Sequence, residues 1–524
     1  MSKGGSSTET SLPRSRTASD YDQLPYPSLP VAYCQPSALA AMASIFGVRS
    51  LPVENARVLE LGCASGGNII PLAIQYPSAS FVGIDISQAH VADANRKISA
   101  LGLRNIKIEQ CDLTKAEFEP RAFDYVLCHG VFSWVNQQAQ DAIFRVCSIS
   151  LADQGLAAIS FNVLPGWHLR RVVRDICIFH AGTEGSPIER AGRARSALVE
   201  IAKGLKGNDL YSNLLRNEAQ RIQKMPSAYV VGEFLAESNL PCHFTEFYAR
   251  ARQVGLAYLC DAEVATSLPE YIAPNSAENI RALSQGSSGA AQQYIDFFTG
   301  RPFRRALLVR DGRVEANAET INVANLRNLN FAAELVPEHK STSGEGETYL
   351  DTKGRKLTPK DPQANALLAR LASAFPSTLS LKDLMDSHSG QAKLEADILK
   401  TMLGMMGRGQ ASAFAVPLHV AKGNGEKPIA WAMARLDAQT KQPWVTSQHH
   451  RAVRLFPSLA LLLPLMDGTR DRAQLQAILA DTNHDHGGPS APRSSNGSAS
   501  HKRSAEAELN AAIGYAARNG LLVA

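Results

Sequence analysis

The chain has 524 residues, 45% of them hydrophobic and 20% charged, with 54 basic against 49 acidic residues and a formal net charge of +5. At about 100–200 residues per domain this length calls for roughly three units. Near-average apolar content excludes global disorder, and the almost balanced charge excludes binding of nucleic acid by bulk electrostatics alone. The cysteines, at 34, 63, 111, 128, 147, 177, 242 and 260, include no CxxC pair. They are expected as free thiols in a reducing compartment, with neither a disulfide framework nor a metal site.

Taken in chain order, residues 1–20 are polar, lack the apolar stretch of a secretory signal and read as a disordered tail. Residues 21–48 read as an N-terminal cap: the proline-set YDQLPYPSLP, then SALAAMASIFG with helical spacing to Gly47. Strands are expected at 57–61, 80–84, 106–109, 123–128 and 156–161, with helices between them at 88–101 and 137–151 among others. That alternation implies an α/β core over 49–183, a doubly wound sheet with right-handed parallel crossovers. Residues 184–310 read as a helical region, its insertion running to about 241, followed by strands at 256–260 and 304–309. These strands either close the same sheet or belong to a separate unit.

Residues 311–362 form a connector ending in a polar linker, and 363–524 a small helix-rich domain with a low-complexity, flexible loop at 485–503. The apolar run 455–466 is too short to span a bilayer and is broken by Pro457 and Pro464. A cytoplasmic protein without membrane insertion is expected. The His-Asp-His run at 484–486 has metal-ligating residue types, but its low-complexity setting favours a solvated loop.

The most informative stretch is VLELGCASGGN at 58–68. It reads as a strand bearing an acid, Glu60, then a glycine-rich turn that opens a helix, where backbone approaches a ligand closely and unpaired N–H groups are on offer. The spacing is E-x-G-x-A-x-G, with Gly62, Ala64 and Gly66 after Glu60. A carboxylate there repels phosphate and suits an uncharged or cationic ligand. Asp85 in FVGIDIS ends the next strand, where an acid can accept both hydroxyl protons of a ribose. Asp112 in CDL ends the third strand, placed to accept from an adenine amino group. FDYVLCHGVFSWV runs from the fourth strand into an aromatic-lined loop. All four lie at carboxyl ends of successive strands, where open α/β sheets bind ligands.

Together VLELGCASGG, GID, CDL and FDYVLCHGVFSW resemble the Rossmann-like class I methyltransferases dependent on S-adenosyl-L-methionine, across roughly residues 57–161. More narrowly, YDQLPYPSLP, HGVFSWV, NVLPGWH and the segment from MPSAYVVGEFL to FTEFYARARQVGLAYLCDAEVAT resemble methyltransferases carrying a methyltransferase regulatory domain. That group includes bacterial protein-lysine methyltransferases acting on outer-membrane proteins. LMDGTRDRAQL resembles the winged-helix-like domain at the end of the same group. The resemblance implies S-adenosyl-L-methionine as cofactor, with Glu60, Gly62, Cys63, Ala64 and Gly66 at its methionine and ribose end. It also implies Asp85 on the ribose, Ile86 against the adenine, Cys111, Asp112 and Leu113 near its amino group, and His129 and Gly130 toward the sulfonium. The protein substrate would be an outer-membrane protein precursor, the enzyme a homodimer, and nucleic acid no partner. One departure is Cys34-Gln35-Pro36, where the group carries a Thr-His-Pro-like run, so no histidine role transfers to that corner.

A lysine nucleophile, with an ordinary pKa of about 10.4, needs desolvation or a base, and aromatic side chains can steady the cationic product. Tyr26, Phe132, Trp134 and Trp167 are the aromatic candidates, with His129 beside them. Each has a plain counterpart: Asp112 as a turn or cap, Trp134 and Trp167 as core or interface aromatics, His129 as a packed, orienting histidine, and His168 as a helix start. The function expected is methyl transfer to lysine side chains of a protein, against a small-molecule or RNA methyltransferase or a non-catalytic cofactor-binding regulator.

Overall fold

The protein is described by a computed structural model that covers residues 16–314, 321–338, 347–385, 392–423, 425–440, 442–485 and 504–523. Seven strands form one sheet: β1 (Arg57–Leu61), β2 (Ser80–Asp85), β3 (Ile106–Gln110), β4 (Phe123–Cys128), β5 (Leu151–Asn162), β6 (Leu256–Asp261) and β7 (Phe303–Arg310). Their order is β3-β2-β1-β4-β5-β7-β6. Strands β3 to β5 pair in parallel, whereas β7 runs antiparallel to both β5 and β6. The two late strands therefore close the first sheet and are not a separate unit. The order reverses beside β1 and β4, so a crevice opens at their carboxyl ends.

Eight helices matter for the site: α1 (Arg16–Gln23), α2 (Pro36–Ile45), α3 (Ile69–Gln75), α4 (Gln88–Leu101), α5 (Gln137–Ser150), α6 (Trp167–Ala181), α7 (Pro187–Gly204) and α8 (Leu210–Lys224). Sequence sets their ends. Ser87 caps α4 through the N–H of His90, Asn136 caps α5 through that of Ala139, and Gly102 stops α4 in the left-handed region. Leu59, Val126, Phe161 and Phe247 pack one sheet face. Val58, Leu127, Leu259 and Leu307 pack the other, in a core that continues into Met406, Leu462 and Ile513 of the C-terminal region. Helices α6–α8 carry a smaller core of their own around Val173, Leu198, Leu215 and Phe234.

Two expectations are corrected. Residues 16–20 are not a loose tail. They begin α1, whose Asp20 carboxylate forms a buried ion pair with Arg190 of α7; residues 1–15 lie outside the described residues. The polar stretch at 347–362 is not a bare linker either, since Tyr349–Leu350 pairs with both Val336–Pro337 and Lys356–Leu357. The apolar run at 455–466 folds as two short helices that bury Leu459, Leu462 and Leu463. No helix among the described residues is long and apolar enough to cross a membrane. All eight cysteines are free, and all but Cys111 are buried. Most of the 485–503 loop lies outside the described residues, as do the side chains of the 484–486 run.

Candidate active site

The turn after β1 is built by conformation. Gly66 has φ +73°, where a Cβ is disfavoured, and a Cβ on Gly67 would sit 2.1 Å from the Ser28 carbonyl oxygen. The Gly67 N–H donates to Ser28 Oγ at 2.8 Å, so the chain from Asp20 to Val31 lies as a strap across the turn. Ala64 takes φ +46° without being glycine, and its N–H donates to Asp85 Oδ2 at 2.8 Å. The Ser87 N–H donates to Asp85 Oδ1 at 2.9 Å, so two backbone groups fix the carboxylate at the tip of β2. Cys63 turns its thiol toward Gly83 of β2. Ile86 stands 44% exposed just past Asp85.

Glu60 is buried in β1. Its Oε1 accepts from Asn68 Nδ2 at 2.7 Å, while Oε2 has no hydrogen-bond partner among the described residues. Burial pushes its pKa up to about 8, against the lowering pull of Asn68. A buried carboxylate oxygen with one vacant side is a receptor for a cation or a hydrogen-bond donor. Asn68 Oδ1 in turn accepts from the Val31 N–H at 3.1 Å and from His450 Nε2 at 2.7 Å.

At the end of β4, His129 Nδ1 meets the Tyr33 hydroxyl, and Ser160 Oγ lies 3.2 Å away. Low-dielectric surroundings and Arg305 push its pKa down to about 4, so the ring is neutral. Gly130, in the left-handed region, donates its N–H to Ser160 Oγ at 2.9 Å. At the third strand's end, Asp112 Oδ1 accepts from the N–H and hydroxyl of Thr114, both at 2.9 Å, and so caps the short turn holding Leu113. The half-buried Cys111 directs its thiol at the Asp112 carbonyl.

The aromatic candidates separate. Phe132 does not reach the crevice: it is fully buried and packs edge-on against Phe144, Phe161 and Phe247, because its short turn folds back over the sheet. Trp167 is also buried, its Nε1 donating to Asn239 Oδ1 at 2.7 Å and its ring carrying the Arg170 guanidinium at 5.5 Å. That ring is occupied by a cation already. Trp134 is half-exposed and meets Trp167 edge-on at 5.7 Å. Tyr26, on the strap, packs on Tyr229 and points its hydroxyl at Glu233, 3.4 Å away. Glu233 lies in a single π-helical turn, Val231–Leu235, a form that often marks functional positions. Burial raises the pKa of Glu233, with Arg170 and Arg221 opposing.

Sequence reasoning missed Ser28, Tyr33, Asn68, Ser160, Glu233 and His450. Ser28 in YDQLPYPSLP, Asn68 at the end of the glycine-rich run and Glu233 in MPSAYVVGEFL lie in motifs that carried a signal, without their roles being legible there; Tyr33, Ser160 and His450 lay outside any.

Comparison with known proteins now bears on this geometry. Residues 58–155 match the methyltransferase domain, 226–310 the predicted methyltransferase regulatory domain, and 426–521 the PKMT C-terminal winged helix domain. An uncharacterised protein of Rickettsia prowazekii, RP789, is 32% identical over 479 residues, covering 88% of this chain and 85% of that protein. The chain belongs to this family of S-adenosyl-L-methionine-dependent methyltransferases. A second R. prowazekii protein, RP028, is 31% identical over 44% of this chain and 94% of its own length. The fold matches that of PKMT2 from Rickettsia typhi in complex with AdoHcy, with TM-score 0.81 and 24% identity, over 95% of this chain and all of that one.

The residues fit a methyltransferase cofactor. The Glu60 oxygen without a partner suits the α-ammonium of a methionine moiety, and the missing side chains of Gly66 and Gly67 let Ile70 and Ser28 pack closely against the turn that carries it. The half-exposed Ile86 offers an apolar surface beside Asp85.

Proposed function

We propose that this methyltransferase methylates lysine side chains of a protein substrate. The observation that carries this reading is the match of residues 426–521 to the PKMT winged helix domain, PKMT denoting protein-lysine methyltransferase. The likeness in fold to PKMT2 runs along 95% of the chain and so includes the parts beyond the cofactor-binding sheet. Such a frame of extra domains suits a polypeptide acceptor better than a small metabolite.

S-adenosyl-L-methionine supplies an activated methyl group on a sulfonium. In this reading Glu60 pairs with its ammonium, and the backbone of Gly62, Cys63, Ala64 and Gly66 follows its methionine and ribose end. Asp85 accepts from the ribose hydroxyls, and Ile86 lies on the adenine, with Cys111, Asp112 and Leu113 at its rim. His129 and Gly130 border the sulfonium. His129 is neutral and tethered by Tyr33 and Ser160, which suits holding shape better than donating a proton. Trp134 and Tyr26 face the acceptor, where loss of water lowers the cost of presenting a neutral lysine amine. The same reading places the enzyme in the cytoplasm, as a homodimer, acting on an outer-membrane protein precursor.

Incubation with methyl-labelled cofactor and cell extract tests it. Label on lysines of protein bands, located by mass spectrometry, is expected, with the precursor among them. Label confined to RNA or small metabolites overturns it. Light scattering at micromolar concentration reads the dimer, and a monomer mass removes that part.

A further inference from the structure

The two ends of the sequence meet at the cofactor corner. Strands Trp444–Thr446 and Ala452–Arg454 form a hairpin in the winged-helix region, and residues 447–451 are its tip. His450 at that tip has φ +58°, a left-handed turn conformation that histidine adopts more readily than most residues; its N–H donates to the Ser447 carbonyl, and it is 1% exposed. The ring reaches across to the turn after β1, where Nε2 lies 2.7 Å from Asn68 Oδ1.

The tautomer follows from the partners. Asn68 Nδ2 donates to Glu60, and Asn68 Oδ1 already accepts from the Val31 N–H. Oδ1 is therefore the acceptor, and His450 Nε2 carries the proton. Nδ1 has no partner among the described residues, and burial pushes the ring's pKa down to about 3, so the imidazole stays neutral. The chain of bonds reads His450 Nε2–H to Asn68 Oδ1, then Asn68 Nδ2–H to Glu60 Oε1. It ends on a carboxyl group whose other oxygen is buried and has no hydrogen-bond partner among the described residues.

We infer that His450 of the winged-helix hairpin is a positioning residue for cofactor binding, locking the Asn68 amide and through it the rotamer of Glu60. A buried polar ring with one unpaired nitrogen makes its hydrogen bond to the residue that holds Glu60, and an apolar side chain would fill the same space without leaving a nitrogen unpaired. The C-terminal region is then part of the cofactor site itself. The inference rests on the cofactor chemistry of the family and is independent of which acceptor is methylated.

Two substitutions test it in the full-length protein. His450→Asn suits the left-handed backbone but is too short to reach Asn68, whereas His450→Gln keeps an N–H donor at similar reach. S-adenosylhomocysteine affinity, measured by calorimetry without any acceptor, is expected to fall about tenfold in His450→Asn, as for loss of a hydrogen bond serving a charged group. It should recover to within about twofold in His450→Gln. In activity assays the KM for cofactor should rise in His450→Asn, with kcat at saturating cofactor and the KM for the acceptor little changed. In an Asn68→Ala background, His450→Asn should cost nothing further. Wild-type affinity in His450→Asn, no recovery in His450→Gln, or an undiminished loss in the Asn68→Ala background would overturn the inference. Failure of the lysine reading leaves the binding measurements untouched.

Discussion

Two residues at the turn after β1 set the scale of single side-chain effects. Glu60 has its folded pKa raised to about 8, so near neutral pH without cofactor it carries a proton that a cationic ligand must displace. The unfolded carboxyl has the ordinary value of 4.5, so the stability it lends is complete below that value and is lost as pH rises toward 8. Affinity for S-adenosylhomocysteine should therefore fall as pH drops below about 8, with release of up to one proton per binding event. Calorimetry in buffers of different ionisation enthalpy reads that proton directly, and pH-independent binding would refute the assignment. Glu60→Gln should bind weakly yet gain stability over the wild type above pH 8 in the absence of cofactor. Ala64, held at φ +46°, stores strain of about 1 kcal/mol that a glycine would not feel. Ala64→Gly should raise the melting temperature with the bond to Asp85 kept. Asp85→Ala should abolish cofactor binding, and retained tight binding would show the ribose assignment to be wrong.

At the scale of elements, the late strands are pinned by a buried ionic knot. Arg304 of β7 donates from Nε to Asp296, from Nη1 to Asp261 and the Gln292 side chain, and from Nη2 to the Gln292 carbonyl. Arg301 bridges the same two aspartates. Arg304→Ala removes one of the two guanidiniums these aspartates share and leaves Arg301 to hold both, so in urea unfolding it should destabilise the protein by less than the about 3–5 kcal/mol of a wholly unpaired buried charge. Strands β1–β5 were legible because their apolar runs alternate with helical stretches and are followed by turns. The placement of β7 between β5 and β6 was not, since pattern encodes a strand's face and not its neighbours. Helix α1 has a polar sequence that alone resembles a tail, and it is held by contacts from far away, Asp20 to Arg190 and Tyr21 beside His90. Phe132 shows the same limit at one residue: an aromatic in a motif looks alike whether it faces a crevice or the core. The roles of Glu233, although it lies in the quoted MPSAYVVGEFL run, and of His450 were not legible, because they depend on partners some 200 and 380 residues distant.

For the whole molecule, the shared core from Val58 to Ile513 makes the α/β sheet and the C-terminal region one packing unit. Three imidazoles, His129, His449 and His450, have pKa values pushed down to about 4, 4 and 3, chiefly by burial, with Arg305 adding to it at His129. Each is neutral when folded and charges freely when unfolded below its ordinary 6.5, so their contribution is present above that pH and declines as pH falls toward 4. The melting temperature should fall steadily between pH 6.5 and 4, and His449→Gln should flatten that slope. A flat profile over this range would mean the rings are solvated.

The contact between Asn68 and His450 also concerns timing. A chain emerging from the ribosome folds from its N-terminal side, and the sheet with its glycine-rich turn is available once residue 310 is out. The last wall of the cofactor corner arrives some 140 residues later, when the hairpin docks. Prematurely terminated chains would carry a recognisable methyltransferase sheet but an unfinished pocket, so incomplete products of synthesis would draw little on the cell's methyl donor.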